Sequence, residues 1–257
     1  MNLDTLNLSI LGPALAAGML VLATHVPLGQ QVLKRGIVFI DLAIAQIAAL
    51  GVIAADAMGW EPQGIAVQIA AVGAALLGAL LLTWTEKRWP VTQEALIGAM
   101  FVLAASAGIL MLSNNPHGGE HLKDLLAGQI LWVSTNQLLY TGALTVLILG
   151  FWFGWRQKLG RTGFYILFSL AVTASVQLVG VYLVFSSLIM PALAVRQWKD
   201  TRKMLGGYLI GATGYLLGLA LSAIFDLPSG SVIVWTLAAT GIFVNLFVGD
   251  SKAGYAS

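Results

Sequence analysis

Residues 163–195 read GFYILFSLAVTASVQLVGVYLVFSSLIMPALAV, a run without a charged side chain. As one straight helix, this run would reach about 50 Å at roughly 1.5 Å per residue. That length is too great for a hydrocarbon core of about 30 Å. Gly180 lies near the middle of the run and permits a turn, because glycine adopts backbone conformations that other residues avoid. We therefore expect two helices, at 163–181 and 183–195, of which the second is short.

The rest of the chain has the same apolar character. Of its 257 residues, 58% are hydrophobic and 9% are charged, whereas charged residues make up about a quarter of an ordinary soluble domain. Because a spanning helix needs roughly 20 apolar residues, the composition predicts an all-α, polytopic membrane protein. About nine crossings are expected, or eight if 163–195 is counted as one. The other spans are expected at 9–29, 36–58, 64–84, 94–113, 138–155, 204–224 and 231–248.

The basic residues predict the orientation. If the amino terminus lies outside, all of the 13 basic residues except Lys123 fall in loops on one side. An excess of Lys and Arg in short loops marks the cytoplasmic face, so we expect the amino terminus outside and the carboxyl terminus in the cytoplasm. A single span at 163–195 would place the clusters 156–161 and 196–203 on opposite faces, which also favours the split. The loops expected inside carry Lys34, Arg35, Lys87, Arg88, Arg156, Lys158, Arg161, Arg196, Lys199, Arg202, Lys203 and Lys252.

Composition also excludes several kinds of site. The chain has no cysteine, so any metal ligand must come from histidine, carboxylate, amide or carbonyl groups. The net charge of +2 comes without a basic stripe interleaved with aromatic residues, so no nucleic-acid partner is expected. The phosphate-loop pattern G-x-x-x-x-G-K-[ST] does not occur, which predicts that the chain is not its own ATPase. Energised transport would therefore need a partner chain.

One basic segment stands out among the inside loops. Residues 190–203 read MPALAVRQWKDTRK. Pro191 is expected to end the preceding helix, and a short, basic, amphipathic segment follows it. On composition alone this is an ordinary basic loop, but a cytoplasmic partner could push on such a segment between two spans.

Four segments, in family order over most of the chain, resemble the permease subunits of ATP-binding-cassette importers for zinc, manganese and related divalent ions. The resemblance implies a homodimer in the lipid of the bacterial cytoplasmic (inner) membrane. It also implies a cytoplasmic ATPase that uses ATP and an extracytoplasmic metal-binding protein that delivers the ion. The chain itself would be a transport subunit and no enzyme, with the metal as substrate and no permanently bound cofactor. The segments are KRGIVFIDLAIAQIAALG (34–51), AGQILWV (127–133), VGVYLVFSSLIMPALAVR (179–196) and FDLPSGSVIV (225–234).

The same resemblance assigns roles along the chain. Residues 1–257 would form a single transmembrane permease domain, and the segment 191–203 would be the coupling helix that docks into the ATPase. A tight outer turn would join the last two spans at Asp226, Pro228 and Gly230. The expected coupling residues are Pro191, Arg196, Lys199, Arg202 and Lys203.

Asp41 is the strongest intramembrane candidate, because a carboxylate in hydrocarbon is functional by default. Members of the resembled family commonly carry an Asp on this helix and a His four residues later, where both share one face. This chain has Ala45 at the His position, and Gln46 lies about 140° round the helix from Asp41. The departure implies a more oxygen-rich site, another ion or a metal chelate. The alternative is a structural carboxylate near a helix start, favoured by the helix dipole and reachable by water. Residues expected along the path are Asp41, Gln46, Gln177, Ser186 and Ser187.

An outer loop holds a second group of possible metal ligands, at His117, Glu120, His121 and Asp124. Two imidazoles and two carboxylates could receive a divalent ion from outside. The loop is equally compatible with a solvated surface or a docking surface for the binding protein. Its H-x-x-E-H pattern also matches an inverted zincin, in which Glu120 would be the general base. The glycines at 118 and 119 disfavour a helix there.

Two other readings and two structural questions stay open. A secondary cation transporter would need no ATPase, and a membrane metalloprotease would use Glu120.

His25, expected at the inner end of the first span, is more typical of a satisfied interfacial histidine than of a metal ligand. Small residues spaced by four are expected to pack helices within the chain rather than form a dedicated dimer face. These rows are Ala71, Ala75 and Ala79, then Gly207 and Gly211, and Gly214 and Gly218.

Overall fold

The architecture is all α-helical. A computed structural model of the chain describes residues 8–61, 64–112, 126, 128–155 and 160–249. Nine long helices and two short 3₁₀ turns, Pro90–Thr92 and Ile130–Trp132, form within these residues. The helices are α1 Leu8–Arg35, α2 Ile40–Ala57, α3 Ile65–Arg88, α4 Gln93–Leu112, α5 Thr135–Trp155, α6 Gly160–Val179, α7 Val181–Ala194, α8 Asp200–Phe225 and α9 Ser229–Gly249.

The helices match the expected spans one for one. Eight of them are long and apolar enough to cross a membrane, and α7 is a shorter apolar helix. The prediction of about nine crossings, eight if 163–195 is counted once, is therefore confirmed. The largest difference is in α1, which continues to Arg35 rather than ending at residue 29. Its last turn is polar, and a helix can carry such a turn beyond the apolar stretch that sequence reading detects.

The break between α6 and α7 lies at Gly180, as predicted. Gly180 has φ +80° and ψ 164°, a conformation that is essentially restricted to glycine. The 3₁₀ turn that contains Ile130 lies against this break, and Ile130 is buried. A Cβ atom at Gly128 would overlap the carbonyl oxygen of Val179. Two glycines from distant parts of the chain therefore make this close approach possible.

The glycine rows of α8 pack helices within the chain, as expected. Gly207 and Gly211 face α1, whereas Gly214 and Gly218 face α9. Because glycine has no side chain, neighbouring helices approach the α8 backbone closely. One helix thus holds α1 on one side and α9 on the other. The side chains that lie against the four glycines are Val26, Leu22, Leu237 and Ile233, in that order.

Every basic residue that the structure describes lies at one end of the bundle, which we call the basic end. At this end α1, α3, α5, α7 and α9 finish and α2, α4, α6 and α8 begin. The clustering agrees with the tally of the sequence, while the side of the membrane that this end faces stays a prediction. The residues are Lys34, Arg35, Lys87, Arg88, Arg161, Arg196, Lys199, Arg202 and Lys203.

The expectation that Pro191 ends its helix is wrong. Helix α7 continues through Pro191 to Ala194, and the backbone N–H of Val195 still donates to the Pro191 carbonyl at 3.3 Å. Proline inside a helix removes one hydrogen bond, and neighbouring groups in a membrane bundle compensate for that loss. Helix α1 likewise contains Pro13 and Pro27.

Candidate ion path and coupling segment

Asp41 is the second residue of α2, so it lies in the first turn and not deeper within a span that starts at 36. Its side chain is 1% exposed, and neither carboxylate oxygen has a hydrogen-bond partner among the described residues. The protein therefore encloses Asp41, while its place in the first turn agrees with the alternative of a structural carboxylate near a helix start, so the role of Asp41 stays a prediction. The dipole at the start of α2 favours a negative charge, but an unpaired buried carboxylate still carries a large desolvation penalty.

The surroundings of Asp41 lie inside a single chain. Helix α2 packs against α3, α4, α6 and α7. Ala45, one turn after Asp41 on the same face, is 1% exposed, and Gln46 is 7% exposed. Asp41 is therefore buried among helices of its own chain, and a path at or near the interface between two copies stays a prediction. The methyl group of Ala45 supplies no ligand at the position where the resembled family has imidazole.

The other expected path residues do not gather around Asp41. Gln177 is half-buried near the break at Gly180, at the end of the bundle opposite the basic end. Ser186 Oγ donates to the Tyr182 carbonyl at 2.8 Å. Ser187 Oγ donates to the Leu183 carbonyl at 2.6 Å and lies 2.8 Å from the Tyr215 hydroxyl. Both serine hydroxyls are thus bonded within the bundle, and their place on a path stays a prediction.

Histidine positions differ from the expectations in two ways. His117, Glu120, His121 and Asp124 lie outside the described residues. His25 is fully buried ten residues before the end of α1, not at the inner end of that helix, because α1 is longer than expected. Its Nδ1 atom donates to the Val21 carbonyl at 2.9 Å. Within the described part of the chain, no three His, Asp or Glu side chains come together as a metal site.

The expected coupling segment 191–203 is not one helix, which corrects that expectation. It consists of the last turn of α7, a turn at 195–199 and the first turn of α8. Trp198 packs on Gly206 and anchors the turn. The segment is therefore a corner held by an aromatic side chain. Its basic residues Arg196, Lys199 and Arg202 are exposed.

Lys203, the remaining basic residue of the segment, forms an ion pair with Asp200, three residues earlier in the chain. Its Nζ donates to Asp200 Oδ1 at 2.9 Å. This hydrogen bond, together with the charges of Lys203 and Lys34, holds the pKa of the Asp200 carboxyl below its usual range. Asp200 is fully exposed, so the pair adds little to stability. The effect of Lys34, the penultimate residue of α1, agrees with the contact between α1 and α8.

Two acidic residues at the basic end were missed by the sequence reading. Glu86 lies between Arg35 and Arg161, with each N···O distance at 3.9 Å. Glu94 Oε1 accepts a hydrogen bond from the Phe39 backbone N–H at 3.2 Å, two residues before Asp41. In the sequence, an acidic residue beside basic residues, such as Glu86 next to Lys87, could have indicated an ion pair. A count of positive charges alone does not reveal it.

A profile of the ABC 3 transport family matches residues 7–164 and 152–249. The chain belongs to the ABC 3 transport family. Among curated relatives, the high-affinity zinc uptake system membrane protein ZnuB of Haemophilus influenzae is 26% identical over 246 residues, covering 88% of this chain and 92% of that protein. The manganese transport system membrane protein MntC of Halalkalibacterium halodurans is 27% identical over 270 residues, covering 97% and 90%.

Solved structures show that the ABC 3 chain has the fold of known transporter subunits. PsaBC from Streptococcus pneumoniae in complex with Fab superposes with a TM-score of 0.74 at 21% identity, covering 92% of this chain and 91% of that one. An inward-facing metal-chelate type ABC transporter superposes with a TM-score of 0.70 at 15% identity. At these identities the likeness concerns the fold alone.

Proposed function

We propose that this ABC 3 family member is the permease subunit of an ATP-binding-cassette importer for a divalent metal ion. The ion is zinc, manganese or a related metal, bare or chelated, and it crosses the bacterial cytoplasmic membrane. The family match along residues 7–249 carries the proposal, and the zinc and manganese systems among the relatives support the substrate class.

The partners follow from the same proposal. The chain is a single permease domain that works as a homodimer, with its amino terminus outside and its carboxyl terminus in the cytoplasm. A separate ATPase docks on the corner at 191–203 and hydrolyses ATP. An extracytoplasmic metal-binding protein delivers the ion to the outer loops, where His117, Glu120, His121 and Asp124 receive it. The exposed basic side chains of the corner suit an acidic docking surface.

Asp41 is the path residue for which the geometry gives most support. A buried carboxylate without a partner is stabilised by a passing cation. Because Ala45 provides no imidazole, the site at Asp41 is richer in oxygen than the family pattern, which suits a harder ion or a metal chelate. Gln46, Gln177, Ser186 and Ser187 complete the proposed route above it. We therefore expect the route to favour a harder ion or a metal chelate.

Uptake by the reconstituted complex tests the function. In vesicles that contain the chain with its ATPase and binding protein, Asp41→Ala should lower metal uptake at least about tenfold, as loss of a metal-supporting group does elsewhere. Assembly with the ATPase should be unchanged. Asp56→Ala, at the far end of the same helix, is the matched control and should leave uptake unchanged.

The outcomes separate the proposal from its rivals. Uptake that continues without ATP and follows a proton or sodium gradient would identify a secondary transporter. Normal uptake by Asp41→Ala would remove Asp41 from the path but leave the importer intact. A membrane metalloprotease would show proteolysis that Glu120→Gln abolishes, with no ATP-dependent uptake.

A further inference from the structure

Glu86 joins three helices at the basic end. It lies in the last turn of α3, and its Oε1 atom is 3.9 Å from Nη1 of Arg35 and 3.9 Å from Nε of Arg161. Arg35 is the last residue of α1, and Arg161 is the second residue of α6. The Glu86 side chain is 15% exposed, so it is largely withdrawn from water, whereas Arg161 is 56% exposed. We call Arg35, Glu86 and Arg161 the Glu86 cluster.

Apolar and polar neighbours support the cluster from the core side. The guanidinium of Arg35 lies 4.3 Å from the centre of the buried Phe164 ring, a favourable cation–π distance. The next residue, Tyr165, accepts a hydrogen bond from Gln93 Nε2 at 3.3 Å. Gln93 is the first residue of α4 and also donates to the Leu82 carbonyl of α3 at 3.0 Å. The ends of four helices therefore meet around Glu86.

The contacts within the Glu86 cluster are of a kind that separates readily. A distance of 3.9 Å exceeds hydrogen-bond length, so the attraction between Glu86 and the two arginines is Coulombic, while Tyr165 of α6 also interacts with Glu86. A permanent structural pair between Arg and Glu is typically bidentate and hydrogen-bonded. The water that reaches Arg161 also weakens its attraction to Glu86. The cluster is therefore suited to opening and closing.

The Glu86 cluster is connected through the end of α1 both to the coupling corner and to α2, the helix that carries Asp41. On one side, Lys34 precedes Arg35 and is near enough to Asp200, at the start of α8, to act on its carboxyl. On the other side, residues 36–39 lead directly from α1 to α2. The hydrogen bond from the Phe39 N–H to Glu94 fixes the end of that link at 3.2 Å. The last turn of α1 is therefore the part of the chain that connects the corner to the Glu86 cluster.

We propose that the Glu86 cluster is the inner gate of the permease. In the closed state, Arg35 and Arg161 hold α1 and α6 against α3 and close the basic end of the bundle, where Asp41 lies in the first turn of α2. Movement of the coupling corner withdraws the end of α1, separates the charges and opens that end. This inference rests on the proposed transport function, because it presumes an ATPase that moves the corner.

Thiol labelling at a buried position tests the gate directly. The chain contains no cysteine, so Ala45→Cys places a single thiol one turn from Asp41, where the side chain is 1% exposed. In the assembled complex without nucleotide, a small maleimide added at the basic end should react with this cysteine about fivefold faster, or more, when Glu86→Gln is also present. Fivefold is the lower limit of typical coupling between two sites. Arg161→Gln, a milder change at an exposed residue, should act in the same direction.

Matched controls separate gating from loss of structure. Arg88→Gln removes a charge two residues beyond Glu86, from a side chain that lies 6.0 Å from the Trp89 ring, and should leave labelling unchanged. Ala75→Cys, also 1% exposed, lies eleven residues from Glu86 along α3 and should stay protected in every variant. If the labelling rate of Ala75→Cys rises as much as that of Ala45→Cys, the bundle has loosened as a whole and the gate is overturned. Unchanged labelling of Ala45→Cys in both Glu86→Gln and Arg161→Gln would also overturn the gate.

The labelling experiment tests the gate and the uptake experiment tests the transport function, so the two hypotheses can fail independently. The labelling rate reports access to the Asp41 face whether or not the vesicles import metal. Absence of ATP-dependent uptake with intact assembly would contradict the proposed function, while a labelling rise that follows the cluster would still locate the gate. Uptake that depends on Asp41, combined with labelling that ignores Glu86, would contradict the gate alone.

Discussion

At the scale of single residues, close backbone contacts decide where side chains are tolerated. Gly128 has φ +70°, and the nearest atoms to a built Cβ are backbone atoms of Val179 and Gly180. Backbone atoms cannot move aside as a flexible side chain can. Gly150, in the middle of α5, has open space around its Cβ position. The two glycines look alike in the sequence and differ only in what surrounds them.

Gly128→Ala should therefore destabilise the protein by about 3 kcal/mol, since left-handed strain and overlap with backbone add up. Gly150→Ala should leave stability unchanged or raise it by up to about 1 kcal/mol, because alanine is the better helix former. Thermal unfolding of the two variants in detergent measures both effects. Equal midpoints for the two variants would contradict the packing of the 3₁₀ turn against the α6–α7 break.

At the scale of helices, the two glycine pairs of α8 meet different kinds of neighbour. A Cβ at Gly211 would lie 2.5 Å from Cδ2 of Leu22, the flexible end of a side chain. A Cβ at Gly218 would lie 2.6 Å from the Cα atom of Ile233, which belongs to the backbone of α9. The contact at Gly211 therefore has room to adjust, and the contact at Gly218 does not.

Gly218→Ala should lower the free energy of unfolding by about 1–3 kcal/mol, the usual range for overpacking, and more than Gly211→Ala does. Leu22→Val should recover part of the Gly211→Ala loss, because it removes the overlapping atoms. Ile233→Val should recover little of the Gly218→Ala loss, because the Cα atom stays. Double-mutant cycles on the two pairs measure the difference. Equal recovery in both pairs would argue against this packing.

Helix bounds illustrate how far a sequence predicts elements. The break at Gly180 is predictable because the apolar run 163–195 is longer than the membrane is thick, and the length of the run can be read from the sequence. The end of α1 was placed six residues too early, since its last turn is polar and belongs to the helix for reasons of packing and charge. Pro191 was expected to end α7, but its neighbours in the bundle tolerate the lost hydrogen bond. Apolar length is encoded locally, whereas helix ends depend on partners.

At the scale of the whole molecule, the charge asymmetry predicts which end faces the cytoplasm. With the basic end inside, an impermeant maleimide added to intact spheroplasts should label Ser134→Cys, which is exposed at the opposite end. Lys199→Cys, exposed in the coupling corner, should react only after lysis. Positive-inside bias sets orientation through short loops such as these. Labelling of Lys199→Cys in intact spheroplasts would reverse the topology and remove the corner from the ATPase.

The sequence by itself determined the membrane class, the number of crossings, the break at Gly180 and Asp41 as a candidate. Each of these depends on the length of an apolar stretch or on a single charged residue within one, and both can be recognised without knowing which residues are in contact. Only the tertiary structure decided that Asp41 is enclosed within one chain, that His25 lies mid-helix and that Glu86 joins Arg35 and Arg161. Those features arise where residues far apart in the chain meet, and pairing between distant residues leaves no periodic mark in the sequence.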